Sequence, residues 1–196
     1  MRKNGGAFAI TIAAAMVLAF TSPAEARNSN PDEVTINVAG ESLTMTADMA
    51  SRVQDPVKFS QLTVEQLAAV GIHANMGHAS VHGAFIPDSK SGGIQPNNAS
   101  GCDWTNGGGS VCIYVFGSGL HVSEWDTSAK VGAYRCTYAS YWINNGQWLI
   151  TTGPELCGQN GTFWSYWKPN ADYLANRSIC NTWVGIAGKP CETITP

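Results

Sequence analysis

Beyond residue 110 apolar and polar positions alternate with a period of two, the pattern of strands that bury one face. Val111 to Phe116 alternates, Gly117-Ser118-Gly119 turns, and Leu120 to Trp125 alternates again. Tyr134 to Ile143 predicts a longer strand. Asn144-Asn145-Gly146 then supplies a hairpin turn, since Asn-Gly tolerates positive φ, and Gln147 to Thr152 returns. Thr162 to Trp167 and Ser178 to Val184 follow, with Lys168-Pro169-Asn170 as a turn. The expectation is a mostly β fold, a disulfide-stapled β-sandwich or small barrel of about seven strands.

The first half of the chain carries mixed α/β signals. Val34 to Val38 alternates, turns at Ala39-Gly40 and resumes at Leu43-Thr44-Met45, which predicts a small hairpin. Thr46 to Gln54 predicts a short helix that stops before Pro56. Leu62 to Gly71 predicts another: Thr63 and Gln66 form a capping box, Leu62 and Leu67 a hydrophobic staple, and Gly71 a C-cap.

Composition divides the chain near residue 101. Residues 27–101 hold no Cys, Trp or Tyr, whereas residues 102–196 hold all six Cys, seven Trp and six Tyr. The turn-rich stretch from Pro87 to Asn98 reads as a linker. The expected organisation is therefore a leader at 1–26, an N-terminal segment or arm with linker at 27–101, and a cystine-rich β-domain at 102–196. With little large apolar surface, the arm is expected to order on a partner rather than fold alone. Protease is expected to cut within 87–101.

The leader expectation comes from Arg2 and Lys3, the apolar run from Ala7 to Phe20, and Ala24-Glu25-Ala26 as a small-x-small cleavage site. That run is shorter than the ~20 residues that cross a bilayer. The expected location is secreted, with no membrane attachment once the leader is removed. Removing Arg2, Lys3 and Glu25 takes the formal charge from −3 to −4, and there is no Lys/Arg run, so nucleic acid is excluded as a partner.

Cys102, Cys112, Cys136, Cys157, Cys180 and Cys191 imply three disulfides in an exported chain. Of the 15 possible pairings, Cys102–Cys112, Cys136–Cys157 and Cys180–Cys191 cost the least loop entropy. Oxidised sulfurs leave no thiol nucleophile, and the absence of a Cys-x-x-Cys pair argues against a zinc ribbon or redox motif.

Candidate chemistry is sparse. His73, His78 and His82 offer imidazoles for zinc, copper or nickel. No carboxylate lies among them and their spacing matches no closed metal site, so neither metal nor cofactor is expected. His121, Ser123, Glu124 and Asp126 form the densest polar cluster of the second half. On a regular strand His121 and Ser123 face one way and the two acids the other. Asp103, Glu155 and Asp172 offer further carboxylates, but no spacing selects a glycosidase pair, and no Gly-x-Ser-x-Gly elbow is present. No catalytic residue is assigned. The aromatics say more. Neighbouring rings at Tyr141-Trp142 and Tyr166-Trp167 point to opposite faces of a strand, so some are expected at the surface. Trp125, Tyr141, Trp142, Tyr166 and Trp167 are the binding candidates, because exposed Trp and Tyr anchor interfaces.

The closing run from Cys180 to Ile194, with Val111-Cys112-Ile113 and Gly117-Ser118-Gly119-Leu120-His121-Val122, resembles small cystine-rich secreted proteins of actinobacteria. By size, export and β-content the chain also resembles the adaptor subunit of extracellular umbrella toxin particles, which links a lectin-like subunit to a stalked toxin. The resemblance implies protein binding and carries over no catalytic residue. The expected function is a secreted non-catalytic binding or adaptor protein whose partners are other secreted proteins or a glycan. The rivals are a small secreted hydrolase acting on polysaccharide and a secreted inhibitor.

Overall fold

A computed structural model describes residues 32–78, 80–88, 100–105, 109–144 and 148–196. The leader at 1–26, most of the linker and the Asn145-Gly146 turn lie outside the described residues. The elements run β1 (Glu33–Val38), β2 (Glu41–Thr46), α1 (Ala47–Val53), α2 (Pro56–Ser60), α3 (Val64–Ala68), β3 (Val81–Pro87), β4 (Ser100–Trp104), β5 (Ser110–Ser118) and β6 (His121–Val131). Then follow β7 (Arg135–Thr137), β8 (Ala139–Ile143), β9 (Trp148–Thr152), β10 (Leu156–Gly158), β11 (Gly161–Trp167), β12 (Ala171–Asp172), β13 (Ser178–Trp183) and β14 (Cys191–Thr193).

The fold is mostly β, as expected, and it is a sandwich rather than a closed barrel. The large antiparallel sheet has the order β3-β11-β6-β5-β4, with β12 paired to β6; the small one has the order β14-β13-β8-β9. Val111, Ile113, Trp125, Phe163 and Trp167 of the large sheet pack against Tyr141, Ile179 and Trp183 of the small one. Three buried hydrogen bonds cross this core. The Trp125 indole donates to Asn181 Oδ1 at 2.6 Å, the Trp183 indole to Thr127 Oγ1 at 3.0 Å, and the Tyr141 hydroxyl to Ser165 Oγ at 2.9 Å. Each aromatic thereby keeps its polar tip satisfied while burying its ring.

The expected long strand at 134–143 breaks at Tyr138. β7 pairs with β10 in a separate ribbon, while β8 enters the small sheet. Each disulfide joins directly opposite residues of neighbouring strands: Cys102–Cys112 across β4–β5, Cys136–Cys157 across β7–β10 and Cys180–Cys191 across β13–β14. This is the pairing favoured by loop entropy.

The N-terminal segment is not an arm. Pro31–Pro196 is one compact unit. Val38, Met45, Phe59, Leu62, Leu67 and Ile72 form a second core with Tyr138, Trp142, Leu149 and Val184, on the face of the small sheet turned away from the large one. Phe59 meets Trp142 edge to face, with ring centroids 5.0 Å apart. β3, which carries the expected His82, pairs along its whole length with β11. The composition break at 101 therefore marks no boundary between bodies. The missing apolar surface of residues 27–101 is supplied by rings of the second half.

Local signals in this layer hold. Thr63 and Gln66 make the capping box, and Thr46 caps α1. Pro56, expected only to end a helix, begins α2, with Asp55 as N-cap accepting from Val57 and Lys58. Pro suits the first helical turn because its missing N–H is an orphan there anyway.

Candidate functional site

The small sheet is buried on both faces, so β8 and β13 read as nearly continuous buried runs. The large sheet buries one face only, and β11 alternates: Phe163, Ser165 and Trp167 point inward, Thr162, Trp164 and Tyr166 outward. This difference decides the fate of the aromatic candidates. Trp125, Tyr141, Trp142 and Trp167 are all buried, so as exposed anchors they are corrected to core residues. Tyr141 and Trp142 do point to opposite faces, but each face has its own covering layer. Tyr166 alone of the five is exposed, at 39%.

Tyr166 belongs to a row that crosses the outward face of the large sheet. In register the row reads His82, Tyr166, Asp126, Tyr114 and Ser100, one residue from each strand. The adjacent row carries Trp164 opposite Ser128. Two ring pairs stand on this face: Tyr114 stacks on Trp164 at 5.4 Å, and His82 on Tyr166 at 5.1 Å. Trp104, 79% exposed, lies at the β4 edge. Phe116 is paired with Glu124. Charges sit around the rings: Lys168 lies 3.4 Å from Glu124, and Lys130 lies 3.8 Å from Asp88.

Asp126 is the unusual group. Its cross-strand neighbours are Tyr114 and Tyr166, and Oδ1 is buried without a hydrogen-bond partner among the described residues. Burial pushes its carboxyl up to about 7, helped by the charge of Glu124 and a hydrogen bond with it, while Lys168 opposes the shift. A carboxyl raised in the folded state binds more protons there than in the unfolded chain. Its stabilising contribution is complete below pH ~4 and is lost as pH rises through about 7. The full shift would be worth about 4 kcal/mol; partial solvent access reduces that to about 2 kcal/mol. Asp126→Asn is therefore expected to flatten the fall in stability between pH 4 and 8, and to exceed the wild type at pH 8. Urea unfolding at both pH values checks this. His121, also raised, acts in the same sense, and it is unchanged in the variant.

The cluster of His121, Ser123, Glu124 and Asp126 does not assemble as a triad. A bulge inserts Ser123 into β6, because Phe116 faces Glu124 while Gly117 faces Val122. The extra residue resets the alternation expected of a regular strand. Ser123 Oγ donates to the Phe116 carbonyl at 3.1 Å. His121 Nδ1 lies 2.8 Å from Asp172 Oδ1 and Nε2 3.2 Å from Asn170 Oδ1, which raises its pKa. With both ring nitrogens engaged, neither is left to activate a serine.

His73, His78 and His82 are not gathered into a metal site. His78 stacks on Trp167 at 4.9 Å and His82 on Tyr166. The one group of potential ligands among the described residues, Cys136, Glu155 and Cys157, contains a disulfide, so its sulfurs are not thiolates. Trp104, Tyr114, Phe116 and Trp164 escaped sequence reasoning, although the i, i+2 spacing of Trp164 with Tyr166 and of Tyr114 with Phe116 was a usable signal.

No helix among the described residues is long and apolar enough to cross a membrane. Comparisons of the chain with family models, curated proteins and solved structures give no match.

Proposed function

We propose that this chain is an exported, non-catalytic adaptor that binds another secreted protein through the outward face of its large sheet. The carrying observation is the open aromatic surface of Tyr114, Trp164, Tyr166 and His82 rimmed by the Lys168–Glu124 and Lys130–Asp88 pairs. Aromatic centres with charged rims are the usual anatomy of protein interfaces. Three disulfides agree with an oxidising location outside the cytoplasm. A toxin particle is the assembly that the resemblance to umbrella adaptors implies.

The test is a pull-down of tagged chain from culture supernatant. Co-purification of other secreted chains is expected. Tyr166→Ala and Trp164→Ala should each weaken that capture by about 2 kcal/mol, roughly 30-fold. His121→Ala should leave it unchanged. A chain recovered alone would count against the adaptor.

A polysaccharide hydrolase is the second reading, favoured by the raised carboxyl of Asp126 on an open surface. Against it, Glu124 lies two residues from Asp126 on the same strand, and its charge helps raise the Asp126 pKa. Glycosidase carboxyls stand about 5–9 Å apart. Turnover of a polysaccharide that disappears in Asp126→Asn would establish this reading instead.

A further inference from the structure

We propose that a cleft on the other side of the molecule, between the first hairpin and the edge of the small sheet, binds a neutral saccharide. The cleft is built by two segments that dock onto edge strand β9 at separate points. Ala39, at the β1–β2 turn, donates its N–H to the Leu149 carbonyl at 3.0 Å. At the other end Thr152 donates to the Met76 carbonyl at 2.9 Å, and His78 N–H donates to Thr151 Oγ1 at 2.9 Å. Gly77 permits this second approach. Its φ is +89°, and a Cβ there would lie 2.7 Å from the Ile150 carbonyl oxygen.

Between the two docking points β9 bulges. Tyr141 faces Thr151 and Trp142 faces Leu149, so Ile150 opposes no residue of β8. Bulges of this kind break a ladder locally and recur beside binding sites. The resulting space is about 730 Å³, within the ~300–1,000 Å³ of small-molecule sites.

Its lining points to the ligand class. Among the described residues no Asp, Glu, Lys or Arg lines the cleft, and nearby Arg177 is engaged by Asn144 Oδ1, so the lining favours an uncharged ligand. Asn37 and Gln54 present carboxamides that make no hydrogen bond within the described structure. A carboxamide offers both donors and acceptors, which matches the hydroxyl groups of a sugar ring. Trp148, 56% exposed, supplies an indole wall. Arg177 lies over its ring at 6.0 Å and occupies one side, leaving the other to a ligand. His78 is likewise fixed by its stack on Trp167. These walls are set before binding, which lowers the entropy that a ligand must offset.

Purified full chain titrated with chitotriose, cellotriose and maltotriose tests the site, with calorimetry and indole fluorescence as readouts. At least one trisaccharide is expected to saturate with Kd below ~1 mM. Trp148→Ala and Asn37→Ala should each weaken binding by about tenfold or more, with unchanged circular dichroism because both side chains are exposed. Gln54→Ala is the independent third variant. Tyr166→Ala, on the outward face of the large sheet, should leave sugar binding intact, so failure here is distinct from failure of the adaptor interface. The proposal is overturned if none of the three sugars saturates by ~10 mM, or if binding survives both Trp148→Ala and Asn37→Ala. Binding lost only in Tyr166→Ala, or a cleft that takes an extended peptide and no sugar, would overturn it equally.

Discussion

Trp125→Ala is expected to lower stability by about 3–5 kcal/mol, with a fall in Tm of roughly 10–15 °C. Trp125 is fully buried on β6, touches the ring of Tyr141 across the core, and packs beside its cross-strand neighbour Trp167 of the same sheet. Truncation removes one of the largest side chains where the two sheets meet. It also strips Asn181 Oδ1 of its donor, while the Asn181 amide remains bound to the Ser140 carbonyl at 3.2 Å. Trp125→Phe separates the two effects. It keeps most of the ring but no N–H, so about 1–3 kcal/mol should be lost through the buried unsatisfied acceptor. Thermal and urea unfolding of both variants checks this. A loss under 1 kcal/mol for Trp125→Ala would mean that the sheets do not meet as described.

Reduction of the three disulfides should unfold the chain at room temperature. The bridges span 10, 21 and 11 residues. Chain entropy assigns each roughly 3 kcal/mol, about 9 together, against a total stability of about 5–15 kcal/mol for a domain. Labelling of unfolded, unreduced protein should find no free thiol. Among paired Cys→Ser variants, Cys180/Cys191 should be the worst, because Cys180 is fully buried within the second core. Cys102/Cys112 should be milder, since Cys102 is exposed on edge strand β4. Equal losses would deny this dependence on position.

What could be read along the chain was whatever its neighbours determine. The capping box at Thr63–Gln66, the Ala39-Gly40 turn and the disulfide partners lie close in sequence, and local chemistry announces them. The site required distant pairing. His82, Tyr114, Asp126 and Tyr166 share one row only because β3, β5, β6 and β11 are ordered as they are. A period of two says which residues share a face of one strand; it does not say whether that face has a cover. Tyr141-Trp142 and Tyr166-Trp167 look alike in sequence, yet the first pair sits between two cores and the second on the boundary of one. β3 was missed because Val81-His82-Gly83-Ala84-Phe85-Ile86-Pro87 carries Gly and Pro, which weaken a strand signal.

The second core also fixes when in its lifetime the chain can fold. Val38, Phe59, Leu62 and Leu67 are made first, but their counterparts Tyr138, Trp142 and Val184 come far later. At ~5–20 residues per second, the ribosome reaches Trp142 roughly 4–17 s after Phe59. Until then the first segment has one two-stranded hairpin and helices of five to seven residues, none stable in isolation. The early third of the polypeptide therefore stays an open thread while the rest is still being made, the condition a chain must be in to pass lengthwise through a narrow pore.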